Sequence, residues 1–217
     1  MRYRVMNLEI RSENAAKPAS QPASAVIKWI QCQSIVRNAL DLGCGKLRYA
    51  QYLAEKCKHF SLVDSRIQIE RRQIIGNCRT TVRDYAKAKW PHSKVYAIED
   101  FWDKATRKYG LVLCANVISA IPSRRIQTNI LRNVLRILNK DGRLLVVNQF
   151  TNSYFSKVIK SGQAIPHLDG YILKSRRGYY YYGFLPDVKM SKILSQCGFR
   201  IIKKWSNKQS AFVLAGV

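Results

Sequence analysis

Apolar runs alternate with helix-like segments along the chain after residue 35. Short continuous apolar runs are typical of strands buried on both faces, and helical periodicity between them is typical of crossover helices. We therefore predict an α/β protein with a Rossmann-like, doubly wound, mostly parallel sheet. Its first five strands are predicted at NALDL (38–42), FSLVD (60–64), KVYAI (94–98), GLVLCAN (110–116) and RLLVVNQF (143–150).

Three helices are predicted between these strands, over Leu47–Lys56, Ser65–Ile75 and Ser123–Leu138. KDG (140–142) predicts a turn into the fifth strand. Near the C terminus, FRIIKKW (199–205) and SAFVLAGV (210–217) predict a β-hairpin. This hairpin would bring the sheet to seven strands and give it an antiparallel edge.

The N-terminal part of the chain predicts no strand. Residues 1–24 are polar and contain two prolines in KPASQPAS, which favours an irregular arm or linker. A short helix is predicted over about Ser24–Gln33. We expect residues 1–35 to form an arm and helix and residues 36–217 the main domain, with 151–185 as an insertion. Whether the arm is only a linker or folds over a ligand stays open.

The chain is strongly basic. Its 217 residues include 38 Lys and Arg against 13 Asp and Glu, a formal net charge of +25. Such an excess attracts polyanions, so nucleic acid is the first expected partner and an anionic membrane surface the second. A basic surface that serves solubility alone is the alternative.

Neither a membrane span nor a metal site is expected. No apolar run approaches the roughly 20 residues of a spanning helix, and the first residues lack the apolar core of a signal peptide. The six cysteines form no CxxC pair and no cluster with zinc-ligand spacing. These features predict a cytoplasmic protein with reduced thiols. The sequence gives no indication of oligomeric state.

The stretch NALDLGCGKL (38–47) ends a strand in a glycine turn. Glycines let a ligand approach the backbone, and the following helix offers free N–H groups. The dinucleotide pattern GxGxxG fails because Arg48 stands at the third glycine position, and no GKS or GKT follows to make a P-loop. Asp64 ends the next strand about 20 residues on, where an acidic group binds a ribose diol.

These segments resemble a known family. ALDLGCGKLRYAQYLA and FSLVDSR are similar to motifs I and II of the class I S-adenosylmethionine-dependent methyltransferases. AIEDFW, YGLVLCANVISAIP and ILRNVLRILNKDGRLLVV are similar to the family's later segments, and the resemblance covers residues 36–150. Motif I departs from the family in having Lys46 and Leu47 where a second small residue is common.

The resemblance implies S-adenosylmethionine as the cofactor and assigns residues to it. The turn of Gly43, Cys44 and Gly45 would pass under the methionine moiety. Asp41 would orient that turn and bind the methionine amino group, directly or through water. Asp64 would bind the ribose hydroxyls.

Four further residues would complete the cofactor site. Glu99 or Asp100 would accept a hydrogen bond from the adenine amino group, and Phe101 would lie against the adenine ring. Asn116 would lie beside the methionine end. No catalytic residue is implied, because proximity and orientation supply much of the acceleration in methyl transfer.

The sequence says less about the molecule that accepts the methyl group. No (D/N/S)PP(Y/F) motif follows the fourth strand and no Pro-Cys pair occurs, which argues against two classes of base methyltransferase. The insertion contains YILKSRRGYYYYGF, and tyrosine beside arginine can stack bases and bind phosphates. We therefore predict a substrate surface there; an extra hairpin with tyrosines alternating between core and surface is the alternative. The predicted substrate residues are Lys174, Arg176, Arg177, Tyr180 and Tyr181.

Three functions follow from this sequence. The first is an S-adenosylmethionine-dependent methyltransferase that acts on nucleic acid or on a nucleotide within one. The second is a small-molecule methyltransferase with an incidentally basic surface. The third is a non-catalytic, methyltransferase-like subunit that binds nucleic acid.

Overall fold

The computed structural model describes residues 1–15, 21–149, 153–207 and 210–217. The α-helices of this part are α1 (Ser24–Gln31), α2 (Ala50–Ala54), α3 (Arg66–Glu70), α4 (Val82–Lys89), α5 (Ile98–Lys104), α6 (Arg124–Ile137), α7 (Ser153–Lys160) and α8 (Asp187–Gln196). The strands are β1 (Arg2–Val5), β2 (Leu8–Arg11), β3 (Val36–Leu42), β4 (Cys57–Asp64), β5 (Gln73–Ile75), β6 (Cys78–Thr80), β7 (Lys94–Ala97), β8 (Tyr109–Ala115), β9 (Leu138–Gln149), β10 (Ile165–His167), β11 (Gly170–Ser175), β12 (Gly178–Gly183), β13 (Arg200–Ser206) and β14 (Ser210–Gly216). Among these residues, no helix is long and apolar enough to cross a membrane.

The strands form three sheets. The largest has seven strands in the order β13-β14-β9-β8-β3-β4-β7. Its β3–β4 and β4–β7 pairs are parallel, and its β13–β14 and β14–β9 pairs are antiparallel. The Rossmann-like architecture and the C-terminal hairpin predicted from the sequence are therefore confirmed.

Two predicted helices are shorter than expected. The helix predicted from Leu47 begins only at Ala50, because Leu47 has a φ of 63°, which a right-handed helix does not allow. The predicted helix Ser65–Ile75 ends at Glu70. The chain then forms the β5–β6 hairpin, which turns at Gly76 with a φ of 58°. The fifth predicted strand begins earlier than expected, at Leu138, so KDG lies within β9.

The irregular arm predicted for residues 1–24 is wrong for its first part. Residues 2–11 form an antiparallel hairpin whose turn residues, Met6 and Asn7, both have positive φ, as the tight turns of two-residue hairpins require. Strand β2 then pairs with β12, so the N-terminal hairpin extends the β11–β12 hairpin into a sheet of order β1-β2-β12-β11-β10. Helix α1 confirms the helix predicted after the arm.

By its internal contacts the chain divides into two compact units. Unit 1 consists of residues 1–15, 114–136 and 143–217, and unit 2 of residues 16–113 and 137–142. Unit 2 contains β3, β4 and β7 with their connecting helices. Unit 1 contains the five-stranded sheet and the C-terminal hairpin. The domain boundary predicted after residue 35 stays a prediction.

A close backbone approach in unit 1 requires glycine at position 170. Gly170 is opposite Gly183 in the β11–β12 pair, and a Cβ atom at 170 would overlap the carbonyl oxygen of Tyr182. We expect Gly170→Ala to lower the free energy of unfolding by about 2 to 4 kcal/mol, since the obstacle is backbone. Urea denaturation measures this loss.

Gly162→Ala is the matched control. A Cβ at Gly162 would meet nothing within 4 Å, although its φ of 72° is unfavourable for alanine. We expect this variant to lose only about 1 kcal/mol. Equal losses in the two variants would contradict the steric explanation.

Candidate functional site

The glycine turn follows β3 directly and is fixed by backbone hydrogen bonds. The N–H groups of Gly43 and Cys44 both donate to the carbonyl oxygen of Val63 in β4, at 2.7 and 3.1 Å. Gly43 has a φ of 77° and Gly45 a φ of 56°. Residues other than glycine rarely adopt such positive φ values. The turn is therefore bare backbone beyond the carboxyl end of β3, as predicted for this stretch.

Asp64 ends β4 and connects it to the glycine turn. Its Oδ2 accepts a hydrogen bond from the Gly45 N–H at 2.8 Å, and its Oδ1 accepts from the Ser65 N–H at 2.7 Å. The Ser65 hydroxyl also donates to Oδ1, at 3.4 Å. A carboxylate oxygen can accept two hydrogen bonds, so Oδ2 keeps acceptor capacity. Burial raises the pKa of Asp64, and the hydrogen bond from Gly45 opposes this shift.

Gln68 stabilises the same turn, although the sequence interpretation missed it. Its side chain is 1% exposed, and its Nε2 donates to the carbonyl oxygen of Gly45 at 2.7 Å. Ser65 caps α3 by accepting from the Gln68 N–H at 3.3 Å. The Ser-x-x-Gln spacing of a capping box was the available signal, although here the glutamine side chain binds the turn instead of the cap.

Asp41 and Cys44 are enclosed below the turn. Asp41 is 2% exposed, and burial raises its pKa to about 7, against an opposing effect of Arg48. Burial also raises the pKa of the Cys44 thiol well above its usual value. Cys44 is therefore an uncharged, inert thiol, and Asp41 is a carboxyl group that titrates near neutral pH.

The predicted adenine-binding residues lie on α5. Arg66, the first residue of α3, connects α3 to them, because its N–H donates to Glu99 Oε2 at 3.1 Å and its guanidinium to Asp100 Oδ2 at 2.7 Å. The Arg66 hydrogen bond lowers the pKa of Asp100. Phe101 is 1% exposed and packs among the rings of Tyr96, Trp102 and Tyr109. Its predicted place against adenine stays a prediction.

The segment before α1 lies against the residues that follow the glycine turn. The guanidinium of Arg48 donates to the carbonyl oxygen of Gln21 at 3.4 Å, and the Ala23 N–H donates to the Tyr49 hydroxyl at 3.3 Å. These contacts favour the alternative in which the chain before α1 lies beside a ligand site.

The remaining predicted residues belong to unit 1. Asn116 follows β8 with a φ of 60°, and its N–H donates to the carbonyl oxygen of Val147 at 2.7 Å. Arg176 and Arg177 form the exposed turn of the β11–β12 hairpin, beside the exposed Lys174. The Arg177 carbonyl oxygen accepts from Asn14 at 3.1 Å, so the N-terminal segment supports this turn.

The tyrosines of β12 alternate between the two faces of the small sheet. Tyr181 is 1% exposed and forms a core with Ile10 and Ile172, and Tyr179 packs against that core. Tyr180 lies on the other face and is partly exposed. The hairpin of the alternative is present, and the substrate surface predicted in this segment stays a prediction. Any role of Tyr181 in acceptor binding stays a prediction that rests on its hydroxyl group, because its ring is enclosed.

Unit 1 also contains polar groups that the sequence interpretation did not select. Among the described residues, the hydroxyl of Tyr181 and both side-chain polar atoms of Asn148 are buried and have no hydrogen-bond partner. His167 packs edge-on against the Tyr181 ring, and its Nε2 is 3.0 Å from the Pro122 carbonyl oxygen. A carbonyl only accepts, so Nε2 carries the proton and Nδ1 of the neutral ring holds a lone pair. No short motif marks these positions.

Comparison with known proteins assigns this chain to a family. Residues 9–203 match the family model described as "Methyltransferase domain". A protein of Escherichia coli K12, described as "Uncharacterized protein YmfD", is 38% identical over 216 residues, which cover 100% of this chain and 96% of that one.

Solved structures share the fold at low identity. An S-adenosylmethionine-dependent methyltransferase from Clostridium acetobutylicum is 14% identical with a TM-score of 0.62, over 89% of each chain. The 1,6-didemethyltoxoflavin-N1-methyltransferase of Burkholderia thailandensis, solved with 1,6-didemethyltoxoflavin and S-adenosylhomocysteine, is 14% identical with a TM-score of 0.60. That match covers 91% of this chain and 77% of the other.

The fold and the glycine turn are those of a class I methyltransferase, and S-adenosylmethionine is the cofactor of this class. This chain belongs to the methyltransferase-domain family. The residues present fit the cofactor: Gly43 and Gly45 leave room at the backbone, and Asp64 keeps acceptor capacity for a diol. The hypothesis of a non-catalytic, methyltransferase-like subunit that binds nucleic acid is therefore dropped.

The role of Asp64 can be tested by substitution. We expect Asp64→Ala to weaken S-adenosylhomocysteine binding by about 100-fold or more, because it removes acceptors for the ribose and the bond that fixes Gly45. Asp64→Asn keeps one acceptor oxygen and should lose less. Calorimetry measures both affinities. Asp103→Ala, an exposed acid on α5, is the control; an unchanged affinity in Asp64→Ala would contradict the assignment.

Asp41 predicts a pH dependence of stability. Its pKa rises from 3.8 to about 7 on folding, so between these values the folded state holds a proton that the unfolded state has lost. Stability is then fully present below pH 3.8 and falls as the pH rises toward 7. We expect the cofactor-free protein to lose about 2 to 4 kcal/mol over this window.

Asp41→Asn should remove most of this slope, because the amide resembles the protonated acid and does not titrate. Urea denaturation at several pH values, with both proteins in the same buffers, gives the two slopes. Equal slopes would show that Asp41 is not the titrating group.

Proposed function

We propose that this enzyme transfers the methyl group of S-adenosylmethionine to a small-molecule acceptor that binds in unit 1. The acceptor proposal rests on two buried polar groups of unit 1 that lack a partner among the described residues, the Tyr181 hydroxyl and the Asn148 amide. Buried polar groups almost always have a hydrogen-bond partner. A compact polar acceptor supplies such partners within an enclosed site, whereas a long polymer needs an open surface.

The structural neighbours support the same proposal. One was solved with the small aromatic compound 1,6-didemethyltoxoflavin together with S-adenosylhomocysteine. Another is described as the N-methyltransferase NodS from Bradyrhizobium japonicum, in complex with S-adenosylhomocysteine. Because these proteins are only 13–14% identical to this chain, their acceptors indicate a size class and do not identify the molecule.

The cofactor supplies an electrophilic methyl group on a sulfonium, and the protein has to position the acceptor and accept its proton. Tyr181 is suited to donate a hydrogen bond, because burial raises its pKa to about 12 and keeps it protonated. His167 is suited to accept a proton at Nδ1, because its Nε2–H is engaged by Pro122. We propose these two residues as the acceptor-binding donor and the general base.

Nucleic acid is the second candidate acceptor. The net charge of +25 and the exposed cations Lys174, Arg176 and Arg177 favour it. Tyr179 and Tyr180 are both partly exposed and follow these cations in the hairpin, with Tyr179 opposite Lys174. We also propose that the protein is cytoplasmic, as the sequence predicts.

Labelled S-adenosylmethionine separates the two candidates. The enzyme is incubated with a low-molecular-weight cell extract, with total RNA and with genomic DNA, and each fraction is assayed for label. We expect label in the low-molecular-weight fraction. Label in RNA or DNA alone would favour the second candidate, and no label in any fraction would contradict both.

Tyr181→Phe tests the acceptor site. We expect the fold and the S-adenosylhomocysteine affinity to be kept, because the ring stays in the core, while methyl transfer falls by about 10-fold through loss of one hydrogen bond. The control is Tyr179→Phe, which packs against the same core. Transfer rates and calorimetric affinities are compared for both. Equal transfer by the two variants would contradict the role of the Tyr181 hydroxyl.

A further inference from the structure

A cavity of about 450 Å³ lies at the amino ends of the strands in unit 2. We call it the amino-edge cavity, and its lining residues are Arg37, Asn38, His59, Arg107, Lys108 and Asn139. Three of these are permanent cations, and no carboxylate lines it. The glycine turn and Asp64 lie at the opposite, carboxyl ends of β3 and β4. Six residues of extended chain separate Arg37 from Gly43, roughly 20 Å.

Part of the cavity is built on strands of the large sheet. Arg37 and Asn38 begin β3, and Asn38 is opposite His59 in the parallel β3–β4 register. The Asn38 Nδ2 donates to the carbonyl oxygen of Lys108 at 2.9 Å, which fixes the segment before β8 against β3. Four of the six lining residues therefore lie in strands, and the other two, Arg107 and Lys108, lie in the segment between α5 and β8.

Among the described residues, the two arginines of the cavity lack a neighbouring acid. In the described part of the chain, no carboxylate lies within 4.0 Å of a charged nitrogen of Arg37 or Arg107. Cations gathered without acids repel one another and attract an anion. Guanidinium groups bind phosphate with two parallel hydrogen bonds, and the side-chain amides of Asn38 and Asn139 provide neutral donors nearby.

We propose that the amino-edge cavity binds phosphate groups, either those of a nucleic-acid strand or those of a free phosphorylated molecule. Its volume exceeds that of one phosphate and falls in the range of small-ligand sites. His59 provides the one ring among its six lining residues, so we expect contact mainly with phosphates and not with stacked bases. Binding is then independent of base sequence and sensitive to salt. This site is separate from methyl transfer and does not depend on the proposed acceptor.

The test compares two double variants with the same loss of charge. Arg37→Gln/Arg107→Gln removes two cations from the cavity, and Arg72→Gln/Arg79→Gln removes two exposed arginines elsewhere in unit 2. Fluorescence anisotropy measures binding of a labelled single-stranded RNA and of the same DNA sequence at several salt concentrations. We expect the cavity variant to lose about 10-fold or more in affinity and its salt slope to fall by about 1 to 2. The control should lose much less.

Pyrophosphate distinguishes the two sources of phosphate. Calorimetry measures its binding to wild type and to both variants. Tight strand binding that only the cavity variant loses supports a nucleic-acid source, and pyrophosphate binding without strand binding supports a free phosphorylated molecule. If wild type binds neither, or if both double variants weaken binding equally, the proposal is wrong. S-adenosylhomocysteine affinity should be unchanged in every variant, which confirms that each one is folded.

Discussion

The hydrogen bond from the Gly45 N–H to the Asp64 carboxylate is the contact on which the cofactor site depends. It joins the ends of two adjacent parallel strands, so the bare backbone of the turn and the acid predicted to bind the ribose diol are positioned together. Gln68 supports the turn from the other side through the Gly45 carbonyl oxygen. Because both polar groups of Gly45 are engaged, the turn keeps its positive-φ conformation before any cofactor binds.

The central strands and the cofactor turn could be predicted because their signals are local. NALDL and FSLVD are continuous apolar runs, and each ends in the residues that the site uses. The helix expected from Leu47 was too long because its positive φ depends on the turn before it. The N-terminal strands were missed because each has four residues and because β2 pairs with β12, far away in sequence.

The acceptor side could be predicted only in outline. The hairpin around Arg177 follows from its local pattern, but the burial of Tyr181 requires Ile10, which the N-terminal strand contributes. The roles of His167 and Asn148 depend on contacts or missing contacts that no spacing in the sequence reveals. The amino-edge cavity likewise combines residues from separate strands, whereas composition alone indicated only that the chain is basic.

A crystal structure with S-adenosylhomocysteine would test directly whether Asp64 and the glycine turn bind the cofactor. We expect both ribose hydroxyls to lie within hydrogen-bonding distance of the Asp64 carboxylate and the methionine part of the ligand to lie over the Gly43–Gly45 backbone. It also predicts that the Gly45–Asp64 hydrogen bond persists in the complex. A ligand bound elsewhere, or ribose hydroxyls that do not contact Asp64, would contradict it.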